Sequence, residues 1–480
     1  MTLRTVSPGG LAGLAAPEQM RLSARLEAAL ARARRLGRPV LAALTLRVDG
    51  RLDPTAVVLS SRQGSEPWFC LEQPERDAVA LASLGCVAEL QGQGAGRFTE
   101  VAQRWRALLA DALVDPPDGP TGAGAIAVGG FAFAPDGGRT PAWRGFPPAS
   151  LLVPELALAR RHGEVRLTLS ALVGPDDVAE EVRGRLERRL GTLQQRPLPL
   201  LDPAPARPAH VSGVTPPEHY EAAVARAVER IRAGEIEKVV LAREVQVQSF
   251  AVHDPAAILG VLREAFPGCM CLGVGRGEAA LVAATPELLI RREGLRASTM
   301  ALAGSTRRSA DPAVDDHLGE QLLRSAKDRE EQAIVIRRIE HTLRPHAVWV
   351  TSAPEPIVAR MANIQHLATP IRAQLSRPIG AVELAGMLHP TPAVGGEPFA
   401  RATSLIPALE GMDRGWYAGP VGWTDTNEDG EFCVALRCAL LRGGLARCYA
   451  GVGVVRDSDP RAELAETEIK LAALLPLLAG

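Results

Sequence analysis

Apolar residues recur at every second position in some stretches of this chain and at three-to-four-residue spacing in others. Those are the marks of strands and of amphipathic helices. In the first half the spacing predicts strands over 40–48 (VLAALTLRV), 56–60 (AVVLS), 67–71 (PWFCL), 124–134 (GAIAVGGFAFA) and 164–173 (EVRLTLSALV). Helices are predicted over 17–36, from 101 (VAQRWRALLADALV) and from 177 (DVAEEVRGRLERRLGTLQQ). Residues 196–217 are proline-dense and read as a linker or a strap. No internal repeat of 20–50 residues is present.

The second half opens on Thr215-Pro216-Pro217-Glu218, a capping box with Thr215 as cap. Tyr220, Ala223, Val224, Ala227 and Ile231 follow at helical spacing, and Gly234 ends the run. Residues 238–248 (KVVLAREVQVQ) alternate as a strand that begins on a lysine. ALVAATPELLIRR, from 280, is a strand, a Thr285-Pro286 corner and an apolar segment. STMALAGSTRRS, from 298, is a strand ending in a small-residue loop. The longest helix is predicted from about 312 to 343, and IQHLATPI, from 364, as a strand ending near His366. EFCVALRCALL, from 431, reads as one strand, Arg442-Gly443-Gly444 as a hairpin turn and ARCYAGVGVV as the returning strand. Asp459-Pro460 then starts a final helix. Strands in runs with helices between them predict an α+β fold. The linker divides it into residues 1–212 and 213–480.

Composition narrows the function. The chain has 480 residues, 46% of them hydrophobic, with a formal net charge of -1 and 4% aromatics. That balance lacks the basic excess of a nucleic-acid binder. No apolar run approaches the roughly 18 residues of a membrane span, and the N-terminus shows no convincing signal core. Seven cysteines match no zinc spacing and are expected to be reduced thiols of a cytoplasmic protein.

Several residues then carry candidate chemistry. Glu287 lies beside Leu288-Leu289-Ile290, and burial among such residues raises a carboxyl pKa, as a general acid requires. A carboxylate capping a turn is the plainer reading. On the last helix Glu463, Glu466 and Lys470 share a face. They are either a solvated stripe with an i, i+4 ion pair or a site of two carboxylates and a lysine. Gly451 and Gly453 strip side chains from the strand before it, for a close approach or a bulge. Glu331 borders the apolar stripe of the long helix, and Glu330 fits the spacing equally.

KVVLAR, ATPELL, KDREE, QHLATP, LHPTPAVGG, DRGWYAGPVGW and AGVGVVRDSDPRAELAETEIK occur in that order. Together they strongly resemble the chorismate-utilising enzymes, isochorismate synthases above all, densely from about 215 to 475 and more weakly before. The resemblance implies two large, mainly antiparallel sheets packed together with helices outside, the first half completing the architecture. It implies a magnesium-dependent conversion of chorismate to isochorismate in menaquinone or siderophore biosynthesis. Lys238 matches the family's base and Glu287 its acid. Glu331 and Glu466 match the magnesium ligands, with Glu463 acting through water. Arg437, Lys470 and the amides around Gly451 match groups that bind substrate carboxylates. Gly304 and Ser305 match the metal side of the ring, and His366 a site-lining histidine. Ala393, Val394, Tyr417, Leu436 and Tyr449 match positions near the ring. No glutaminase partner is implied, and the chain is expected as a monomer or homodimer. Salicylate synthase is the nearest alternative, anthranilate and aminodeoxychorismate synthases are further off, and an inactive chorismate-binding regulator is the most distant. Ala326, Gln332 and AGSTRRS depart from the family pattern, the last at the loop.

Overall fold

The computed structural model describes residues 6, 7, 10, 11, 13–202, 205 and 207–480. The expectations for the extreme N-terminus, and for part of the proline-dense segment, fall on residues outside that set.

Two large antiparallel sheets build the molecule, beside a two-stranded pair of Val6–Ser7 with Gly10–Leu11. Along the twelve-stranded sheet, His210–Gly213 is followed by Lys238–Gln248, Leu445–Val454, Cys438–Arg442, Ala279–Thr285 and Met270–Arg276. It then continues through Trp68–Gln73, Val79–Leu84, Leu156–Arg161 and Glu164–Val173 to Val40–Val48. The ten-stranded sheet includes Ile364–Leu375, Arg296–Arg307, Leu288–Glu293, Gly430–Val434, Pro420–Asp425 and Ile126–Phe131 in that order. Both sheets therefore run across the 212/213 divide: Met270–Arg276 pairs with Trp68–Gln73, and Pro420–Asp425 with Ile126–Phe131.

The strand alternation says where the core sits. Leu41 and Ala43 point into the layer between the sheets, with Leu272, Leu281, Phe131 and Phe432. Val40, Ala42 and Leu44 point outward, under Leu22, Leu26, Leu186 and Ile258 of the covering helices. A sheet buried on both faces needs apolar residues at consecutive positions, which is why VLAALTLRV and WFCLEQ alternate so weakly. Among the described residues no helix is long and apolar enough to cross a membrane. All seven cysteines are unpaired thiols.

Local expectations fail where tertiary context overrides pattern. AVVLS is not a strand but part of the Pro54–Ser61 helix, whose cap Asp53 accepts from the Ala56 amide. Seven of that helix's eight residues are buried, so its pattern carries no helical stripe. Thr215 does not cap the next helix; Pro216 stands at the N-cap without a side-chain hydrogen bond. The long helix is two helices, Pro312–Arg324 and Ala326–Leu343, broken at Ser325, whose hydroxyl accepts from the Asp328 amide. EFCVALRCALL is two strands in different sheets, Gly430–Val434 and Cys438–Arg442, with the chain crossing between them at 435–437. AGSTR is not a loop but the end of the Arg296–Arg307 strand, bulged at Gly304. His366 stands near the start of the Ile364–Leu375 strand, not its end.

Candidate active site

One cleft gathers the second half of the chain. It is lined by Glu287, Gly304, Ser305, Glu331, His366, Tyr417, Arg437, Tyr449, Gly451, Glu466 and Lys470, with Ala393, Val394 and Leu436. Glu463 and Lys238 do not line it; Lys238 pairs with Glu331, which does, and Glu463 pairs with Lys327 one turn before Glu331 on the same helix.

The floor is built by backbone pairing. Lys238–Gln248 pairs with Leu445–Val454 without interruption from Val239↔Val454 to Gln248↔Leu445, so Gly451 and Gly453 mark no bulge. They make room instead. A Cβ on Gly453 would lie 2.3 Å from Glu331 Oε1 and 2.9 Å from Lys238 Cε. One on Gly451 would lie 2.8 Å from the Tyr417 hydroxyl. A buried ion pair, Arg414–Glu410, locks this floor to the proline-rich loop. Arg414 donates to the Val240 and Val394 carbonyls, and Glu410 Oε1 accepts from the Ala242 amide at 2.7 Å.

Lys238 is fully buried, and its Nζ lies 2.8 Å from Glu331 Oε1. The contact is an ion pair without hydrogen-bond alignment, since Nζ makes no hydrogen bond. Of the two candidates on spacing, Glu331 reaches the cleft and Glu330 is exposed. Glu287 is buried beyond the Thr285-Pro286 corner, where its amide donates to Thr285 Oγ1 and its carbonyl accepts from the Val434 amide. Burial pushes its carboxyl up to about 7, against the opposing pull of Lys238, the Thr391 hydroxyl, Lys470 and Arg437. Lys238 is thus near enough to bear on the Glu287 charge, and Thr391 Oγ1 stands 3.5 Å from Glu287 Oε1.

The opposite wall is a directed chain of hydrogen bonds. Gly304 O can only accept, so His366 Nδ1, 3.1 Å away, carries the proton. Nε2 is then the acceptor for Arg437, at 2.8 Å. Ser305 Oγ lies 3.0 Å from the same Nδ1 and also bonds to Glu466. Burial, with Arg437 and Lys470 nearby, drives the His366 pKa well down, so the ring is neutral. Arg437 occupies the sheet crossover with φ of 47°, a left-handed conformation unusual for a residue with a Cβ. Such strain gathers at functional sites, and here it aims the guanidinium at the cleft.

The third wall is the last helix. Lys470 Nζ contacts Glu466 Oε1 at 2.8 Å and donates to the Gly451 carbonyl at 2.9 Å. The pair is a wall of the cleft and not a solvated stripe. Burial tends to raise the Glu466 carboxyl, but Lys470, Ser305 and Lys327 outweigh it and hold the pKa below its usual value. Glu463 is buried and bonded to Lys327 at 2.8 Å; desolvation lifts its pKa. Tyr417 stacks on Tyr449 at 5.1 Å, and Tyr449 on Trp143 of the first half at 5.8 Å.

Among the described residues no three carboxylate, imidazole or thiolate groups converge as a ready-made metal cage. Magnesium seldom asks for one. It usually takes one or two carboxylates, waters and a substrate anion, and Glu331 and Glu466 offer two hard oxygen ligands on the same cleft. The donor set fits that ion.

Sequence reasoning missed Lys327, Asp328 and Thr391. Lys327 and Asp328 precede Glu331 within one helical turn, so helical spacing was a usable signal. Asp328 is half-buried behind Gly304, where a Cβ would meet it at 2.9 Å. Gln332, one of the departures from the family pattern, is buried and donates to Ala301 O and Thr369 Oγ1.

The chain belongs to the chorismate binding enzyme family, which it matches over residues 27–479; it is an enzyme. It is 38% identical over 466 residues to a salicylate biosynthesis isochorismate synthase of Pseudomonas aeruginosa, covering 96% of this chain and 94% of that one. It is 29% identical to isochorismate synthase MenF of Bacillus subtilis, covering 94% and 96%. Among solved structures it resembles MenF, the menaquinone-specific isochorismate synthase from Escherichia coli, with a TM-score of 0.77, 26% identity and coverage of 95% and 99%.

Proposed function

We propose that this enzyme is an isochorismate synthase, using magnesium bound at the Glu331–Glu466 end of the cleft. The observation that carries the reading is a buried carboxyl raised to about 7, Glu287, sharing a cleft with the cations Arg437 and Lys470. It stands on a chain whose relatives, matched over nearly their whole length, are named for that reaction.

The conversion adds water at ring carbon 2 and expels hydroxyl from ring carbon 4, so one proton must leave and another arrive. Glu287, partly protonated near neutrality, donates to the departing hydroxyl, which leaves as water. Lys238 accepts the proton of the incoming water, and it can do so only once neutral and released from Glu331. Arg437, held by His366 through one edge, presents its remaining donors to a substrate carboxylate. Lys470 adds a point charge beside Gly451. A bound magnesium ion supplies positive charge that neutralises a substrate carboxylate and orients the ring. Water is the nucleophile, so no glutaminase partner is needed. Seven free thiols suit a reducing cytoplasm.

The test is incubation of purified enzyme with chorismate and magnesium, with isochorismate, salicylate, anthranilate and pyruvate resolved chromatographically. Isochorismate is the expected product. Salicylate with stoichiometric pyruvate would make the enzyme a salicylate synthase, and no turnover of chorismate would refute the proposed reaction.

A further inference from the structure

The 54 basic residues of this chain include only three lysines, Lys238, Lys327 and Lys470; the other 51 are arginine. All three pair with glutamates of the two helices that carry Glu331 and Glu466, and only Lys470 lines the cleft itself. Each forms an ion pair of 2.8 Å with a different glutamate: Lys238 with Glu331, Lys327 with Glu463, Lys470 with Glu466. A chain that meets nearly every other need for positive charge with arginine keeps the compact ammonium only here. The difference is physical. An ammonium is a point charge that can pivot off one carboxylate and onto another group. A guanidinium is a planar fork that grips a carboxylate through two bonds.

The mechanism accounts for Lys238 and Lys470 and leaves Lys327 without a role. Lys327 sits on the first turn of the Ala326–Leu343 helix, and its side chain is 40% exposed. Its partner Glu463 is 2% exposed and belongs to the Pro460–Leu471 helix. The pair thus bridges the two helices that carry Glu331 and Glu466.

Resting on the magnesium reading above, we propose that Lys327 is a positioning residue, a built-in counter-cation that holds Glu463 and sets how tightly the substrate-free enzyme takes up a divalent ion. With all three carboxylates neutralised by lysines, an arriving ion must compete with ammonium groups already in place. Lys327, on the rim, is the competitor that can swing into solvent at least cost. Its removal frees Glu463 and deletes a like charge close to the ion, so the free enzyme binds metal more tightly.

The experiment is titration of full-length, substrate-free enzyme with Mn2+, read by electron paramagnetic resonance, and with Mg2+ by calorimetry. Lys327→Met should tighten Mn2+ binding about tenfold, the scale of losing one like charge near a partly buried ion. Lys327→Arg should leave it unchanged or weaker. Lys327→Gln gives the same reading if the methionine variant does not fold. Unchanged or weaker binding in Lys327→Met or Lys327→Gln overturns the proposal and makes the pair a plain helix bridge. Glu466→Gln separates the two ideas. If wild-type Mn2+ binding is insensitive to it, the metal reading itself fails. If binding depends on Glu466 but not on Lys327, only the counter-cation proposal falls.

Discussion

Glu287 is a carboxyl that burial keeps partly protonated near neutrality, the form a proton donor needs. Its pKa rises from 4.5 to about 7 on folding because burial penalises the carboxylate. A group raised in this way favours the fold fully below its unfolded pKa, and the benefit is lost as pH climbs through about 7. The difference amounts to about 3 kcal/mol at alkaline pH. Glu287→Gln should therefore unfold at higher urea than the parent at pH 8 and at similar urea near pH 4.5, while turnover falls at least about a thousandfold. By the same sign, kcat/KM of the parent should fall as pH rises past about 7, where the acid loses its proton; a profile flat from pH 6 to 8.5 would remove Glu287 from the acid's role. Lys238→Ala should abolish turnover yet keep chorismate binding, measured by calorimetry. Near-normal turnover in that variant would refute Lys238 as the base.

At the scale of elements, two helices and one strand fix the charged end of the cleft, and glycines decide how closely they meet. Gly453→Ala would drive a methyl into Glu331 and Lys238. Its fold should survive by circular dichroism while activity drops by about a hundredfold, the scale of misplacing catalytic groups by about an ångström. Gly304 sits at φ of 70° in the strand bulge and against Asp328. Gly304→Ala should cost about 1–2 kcal/mol from the left-handed backbone alone, seen as a lower urea midpoint. The spacing of Glu463, Glu466 and Lys470 was plain in the sequence, because a helix repeats every 3.6 residues. That the stripe faces a cleft was not, because amphipathic spacing gives a face without saying what covers it. The crossover at 435–437 was hidden for a related reason. Both strands are buried, so apolar residues resume directly after Arg437 and the change of sheet leaves no turn signal in the pattern.

At the scale of the whole molecule, the first half lines no part of the cleft yet is woven into its support. Trp143 stacks on Tyr449 and donates its indole N–H to the Asp413 carbonyl. Trp143→Ala should cost about 3–5 kcal/mol, the usual penalty for deleting a large buried aromatic, with a lower Tm read by calorimetry. The order of motifs, the helix that starts at Asp459-Pro460, the hairpin at Gly443-Gly444 and the family were all determined by the sequence, since caps, turns and period are local properties of neighbouring residues. Only the tertiary structure decided that Lys238 and Glu331, nearly a hundred positions apart, form an ion pair, that Thr391 reaches Glu287, and that Lys327 pairs with Glu463. Those contacts depend on which strands lie side by side and on how far two helices stand apart, and no local periodicity encodes either distance.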